Sequence, residues 1–92
     1  MYKLDEIAAA LARTGDPKQV ERFLSSILTP AEIKEISSRW ALVRLLDQGA
    51  SQRGIAKKLG LSLCKITRGS RELKKRHSAF KLMIDQYNKI NH

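Results

Sequence analysis

Apolar residues recur in this chain every three or four positions from one end to the other, and no stretch alternates polar and apolar residues. That period matches one face of an α-helix and argues against strands, whose two faces exchange at every second residue. The breaks are short, so the spacing predicts an all-α fold of about six helices. Leu4, Ile7, Ala8 and Leu11 form the first stripe, ended by Thr14-Gly15. Asp16 suits the N-cap of a second helix, with Pro17 at the first helical position and Val20, Phe23, Leu24 and Ile27 as its stripe. Thr29-Pro30-Ala31-Glu32 opens a third helix with the pattern of a capping box. Ile33, Ile36, Trp40, Val43 and Leu46 keep helical spacing until Gly49, while Leu42 and Leu45 widen the apolar surface, so this helix should meet more than one neighbour. Trp40 belongs to the core or to a dimer interface rather than to a ligand. Two short helices are expected over Ser51 to Leu59 and Ser62 to about Lys74, and Phe80, Met83, Ile84, Tyr87 and Ile90 mark a last one. Residues 1–92 have room for a single core and hence one helical domain.

The two short helices satisfy the geometry of a helix-turn-helix. Helices that cross steeply need a small residue where they touch, and Ala56 supplies it. The tight turn needs positive φ, which Gly60 tolerates. Ile55, Leu59, Leu61 and Ile66 provide the apolar contacts of the crossing, and Ser62 caps the second helix. An ordinary helical hairpin has the same outline but no need of flanking cations. Here the charge is focused on the same segment. The chain carries 18 Lys and Arg against 9 Asp and Glu, a net charge of +9. Nine of those cations lie between Ala50 and Arg76, with Glu72 the one acid among them. Such a footprint suits a polyanion, because each Lys or Arg that meets a phosphate releases condensed counterions.

Side-chain direction then assigns roles within a DNA-binding segment of residues 51–74. Gln52 and Arg53 open the first helix, where an N-terminus meets phosphate. Leu63, Cys64, Lys65 and Thr67 lie on the early turns of the recognition helix. Lys65 can donate to guanine, Thr67 can hydrogen-bond, and Leu63 can touch a thymine methyl. Lys57, Lys58, Arg71, Lys74 and Lys75 suit phosphates.

From about Leu28 to Lys74 the chain resembles the tryptophan repressor family. The resemblance rests on Leu28-Thr29-Pro30-x-Glu32, Ser38-Arg39, Ser51-Gln52-Arg53 and Ile66-Thr67-Arg68-Gly69-Ser70 followed by Leu73-Lys74. A glycine inside a recognition helix costs roughly 1 kcal/mol against alanine and needs a reason; in the family that reason is close approach of a ligand. The resemblance implies an intertwined homodimer, with dimerisation helices over 2–47 and 76–91, that binds double-stranded operator DNA when L-tryptophan is present as corepressor. By matching positions, Arg39 and Arg68 would sandwich the indole, and Thr29 and Arg68 would hold the carboxylate. Gly69 would leave room for the ring, and the backbone of Ser26 and Leu28 would meet the ammonium group. Glu72 stands where the family usually has a serine near that ammonium, and an acid there can pair with it. Gln52, Arg53, Lys57, Leu63, Cys64, Lys65, Thr67 and Arg68 match positions that face DNA. Lys65 and Cys64 replace smaller or hydroxyl residues, so the operator sequence should differ.

Other classes fit less well. His77 and His92 have no partner at ligand spacing, no activated nucleophile is arranged, and neither a catalytic site nor a metal site is expected. The lone Cys64 makes no internal disulfide, and a small side chain at a crowded contact explains it more simply than a redox switch does. No apolar run approaches the ~20 residues of a membrane span, so a cytoplasmic protein without a membrane partner is expected. The rival reading is a helix-turn-helix regulator, or a recombinase-type DNA-binding module, that does not bind tryptophan.

Overall fold

The computed structural model describes residues 3–90. Six helices follow in order: α1 (Leu4–Arg13), α2 (Pro17–Ile27), α3 (Pro30–Asp47), α4 (Gln52–Leu59), α5 (Leu63–Leu73) and α6 (Ala79–Ile90). Among the described residues there is no strand, as the apolar period requires. Tyr2 and Asn91, at the ends of the expected dimerisation segments, lie outside the described residues, as do Met1 and His92. The chain divides into two compact units, Met1–Glu35 and Ile36–His92.

In the first unit the helix starts are set by local chemistry. The Asp16 carboxylate accepts the Lys18 N–H at 3.0 Å, and Pro17 occupies the first turn, where its missing donor costs nothing. Thr29 and Glu32 close the capping box reciprocally. The Thr29 N–H donates to Glu32 Oε1 at 2.8 Å, and the Glu32 N–H donates to Thr29 Oγ1 at 3.1 Å. Chiefly because it accepts the Thr29 backbone N–H, the Glu32 carboxyl is held below its ordinary pKa. No residue of α1 or α2 is buried, and Leu4 and Ile27 are 72% and 51% exposed.

The second unit holds the core. Leu42 and Val43 from α3, Ile55 from α4, Ile66 from α5 and Ile84 from α6 are each at most 2% exposed. Full burial of a side chain this size stabilises by roughly 1.5–3 kcal/mol. Trp40 packs at the margin of this cluster, as its place on the stripe implies. It stacks on Phe80 with centroids 5.7 Å apart and meets Tyr87 edge-on at 6.1 Å. Lys81 reaches Asp47 at 2.7 Å and Asp85 at 3.1 Å, joining α6 to the end of α3. Helix α6 opens at Ala79, three residues later than position 76, because Ser78 caps it: its hydroxyl accepts the Lys81 N–H at 3.0 Å.

Gly69 has a packing reason of its own. A Cβ at this position would overlap the Leu42 side chain and would press on Val43 Cγ2 at 3.2 Å. Both neighbours are buried in the core, so either could yield only by repacking against other core side chains. Glycine therefore allows α5 to lie close against α3. Gly69→Ala should lower stability even though alanine is the better helix former. Overpacking a core costs ~1–3 kcal/mol, against roughly 1 kcal/mol regained in propensity. Thermal melts should show a reduced Tm with the helical spectrum intact; an unchanged or higher Tm would mean that Leu42 yields without strain.

Candidate functional site

Local capping builds the helix-turn-helix. Ser51 Oγ accepts the Gly54 N–H at 3.0 Å and starts α4, and Ser62 Oγ accepts the Lys65 N–H at 3.4 Å and starts α5. Between them Gly60 takes the left-handed conformation, with φ 65° and ψ 33°. There the N–H groups of Gly60 and Leu61 both close on the Ala56 carbonyl. Ile55 and Ile66, 1% and 0% exposed, lock the crossing from within, with Leu59 and Leu61 packed beside them.

Because Ile66 and Ser70 turn α5's inner face to the core, its opposite face is turned outward. Leu63, Cys64, Lys65, Thr67 and Arg68 are all exposed, as are Arg53 and Lys57 on α4, while Gln52 is half-buried. The structure thus presents the DNA-facing candidates at the surface of one motif. It also joins two of them directly: the Thr67 hydroxyl donates to Gln52 Oε1 at 3.1 Å.

Beside this surface is a cleft of ≈ 330 Å³, lined by Arg39, Lys65, Arg68, Gly69, Glu72 and Phe80. Four of the six come from α5 at positions i, i+3, i+4 and i+7, which places them on one stripe of the helix. Arg39 is supplied by α3 and Phe80 by α6. The four candidates Arg39, Arg68, Gly69 and Glu72 therefore share one cavity. Ser26, Leu28 and Thr29 belong to the first unit. There Ser26 Oγ donates to the Phe23 carbonyl at 2.8 Å, the Leu28 N–H donates to Leu24 at 3.0 Å, and Thr29 sits in its capping box. Phe80 was not legible as a cleft residue, since its spacing is that of any core-facing position on α6. Lys65 reads from sequence as a DNA contact, yet it also borders the cleft.

Two guanidinium groups, an ammonium, a carboxylate and an aromatic ring suit a planar ligand that bears an anion. A guanidinium stacks on an aromatic face and forks onto a carboxylate. The volume falls at the lower end of the range for small-molecule sites, ≈ 300–1,000 Å³. Glu72 adds negative charge. Lys75 Nζ lies 2.9 Å from its carboxylate, and that hydrogen bond, helped by the charges of Lys75, Arg68 and Arg71, holds the carboxyl below its ordinary pKa against the opposing effect of burial.

Comparison with known proteins gives the family. Residues 2–88 match the family described as Trp repressor protein. A Trp operon repressor homolog of Vibrio parahaemolyticus is 34% identical over 86 residues, covering 88% of this chain and 84% of its own length. One of Vibrio vulnificus is 35% identical over 82 residues, covering 88% and 80%. One of Chlamydia trachomatis is 41% identical over 73 residues, covering 74% and 78%. No solved structure matches the chain significantly.

The charge balance at Glu72 can be tested by titration. Its folded pKa is lowered, so the carboxylate is ionised throughout the neutral range and takes up its proton only as the pH falls through that lowered value. Lys75→Ala removes the largest cause, and the Glu72 midpoint followed by NMR should rise toward the ordinary value for glutamate. A midpoint unmoved by the substitution would show that Lys75 is not what holds the carboxylate.

Proposed function

The chain belongs to the Trp repressor family, and from that premise we propose that it is a transcriptional repressor which grips operator DNA when L-tryptophan fills the cleft beside α5. The expectation that it is not an enzyme agrees with the regulatory character of the family. The observation that carries the ligand assignment is the meeting of Arg39, Arg68 and Gly69 in a single cavity. In this reading the two guanidinium groups stack on the indole, and Arg68 also binds the carboxylate.

Arg68 connects the two activities. It lines the cleft and stands on the recognition helix, so an occupied cleft fixes the angle at which α5 enters the major groove. Gln52, Arg53, Lys57, Leu63, Cys64, Lys65 and Thr67 form the remaining DNA contacts. The protein acts as a homodimer through residues 2–47 and 76–91. Supporting this, α1 and α2 bury no residue, and Leu82, Met83 and Ile90 of α6 are 59%, 58% and 78% exposed. Two-fold symmetry then pairs with a palindromic site whose halves lie about one helical turn apart. The target genes are those of tryptophan biosynthesis or uptake, and the protein works in the cytoplasm. Among the described residues no helix is long and apolar enough to cross a membrane.

The test is an operator titration with and without L-tryptophan. Coupling of ~1–3 kcal/mol predicts a 5- to 150-fold tightening of specific binding by the ligand. Arg39→Ala should abolish the ligand effect while leaving weak, salt-sensitive binding to any duplex. Identical wild-type curves would end the corepressor assignment and leave the DNA-binding motif standing.

A further inference from the structure

We infer that Gln52 sets the hydrogen-bonding polarity of the Thr67 hydroxyl, making Thr67 an acceptor-only reader of base edges. The inference rests on the proposed DNA-binding role of α5. A hydroxyl has a single proton and two lone pairs. A threonine within a helix commonly sends that proton back to a carbonyl one turn earlier. Here it goes across the motif instead, from Thr67 Oγ1 on α5 to Gln52 Oε1 at the first residue of α4, at 3.1 Å.

Both ends of this bond are held in place. Ser51 caps α4 immediately before Gln52, and Ile66, at 0% exposure, anchors α5 immediately before Thr67. With the proton committed to Gln52, only lone pairs remain to face the groove. These attract the exocyclic amines of adenine and cytosine, whereas guanine O6 and thymine O4 present acceptors and are repelled. The accepting oxygen of Gln52 also fixes its amide group, so the two N–H donors at the other end stay available for a backbone phosphate. Gln52 is thus a positioning residue: it acts on base choice through Thr67.

The experiment is selection from a random-sequence duplex library with saturating L-tryptophan, giving a base-resolved preference profile for each variant. Wild type should show one position per half-site at which adenine or cytosine is favoured by about tenfold. Gln52→Ala releases the hydroxyl to divide its proton between the preceding turn's carbonyl and the groove, so it should relax that position severalfold toward guanine and thymine and leave the preference at the other positions unchanged. Gln52→Glu retains an acceptor and should keep the preference while weakening overall affinity, because its charge lies near phosphates. Thr67→Val should erase the preference, and adding Gln52→Ala to it should change nothing further at that position. A uniform loss of affinity in Gln52→Ala with the preference intact would make Gln52 a phosphate contact alone and overturn the inference. A wild-type protein that selects no sequence at all would overturn the DNA-binding reading, and this inference with it.

Discussion

The contact on which the rest of the second unit depends is the approach of α5 to α3 at Gly69, where a side chain as small as alanine's would collide with Leu42 and press on Val43. With Ile66 one turn earlier, this contact decides which face of α5 is buried and which is turned outward. The consequence is functional as well as structural. Close packing brings Arg39 of α3 and Arg68 of α5 to the same cleft, and it leaves Leu63 and Thr67 exposed on the other side of the helix. The family resemblance reads Gly69 as room for a ligand, and it does border the cleft. It is equally room for the core.

Helix α5 therefore serves as core element, cleft wall and candidate groove reader at once. Its inner stripe is apolar or small, and its cleft stripe runs Lys65, Arg68, Gly69 and Glu72. Its outer face exposes Leu63, Cys64, Thr67 and Arg71, and α4 exposes Arg53 and Lys57. A helix used on three sides cannot change its angle without disturbing all three. Under the proposed function, that shared constraint is what would let a small molecule against one face alter binding at another.

Much of this was legible in sequence wherever the interacting residues are near neighbours along the chain. Asp16, Thr29 with Glu32, Ser51 and Ser62 all cap the helices that their positions imply, and Gly60 takes the positive φ that the turn requires. Alternating buried and exposed positions within α4 and α5 followed from apolar spacing. What could not be read depends on partners far apart in sequence. Phe80 looks like any residue of an apolar stripe until α6 brings it to the cleft. The bond between Gln52 and Thr67 spans fifteen positions and exists only because the two helices cross as they do. The partner of Gly69 was hidden for the same reason, since Leu42 and Val43 reach it only through tertiary packing.

The central claim is that the cleft and the DNA-facing surface of α5 are thermodynamically linked through one helix. Linkage is reciprocal, so the most direct measurement is the affinity of L-tryptophan by calorimetry, for the free protein and for the protein saturated with operator. The ligand should bind the DNA complex more tightly by the same factor with which it tightens operator binding, within the roughly 5- to 150-fold span of such couplings. Equal affinities in the two states would contradict the claim, however tightly tryptophan bound to either.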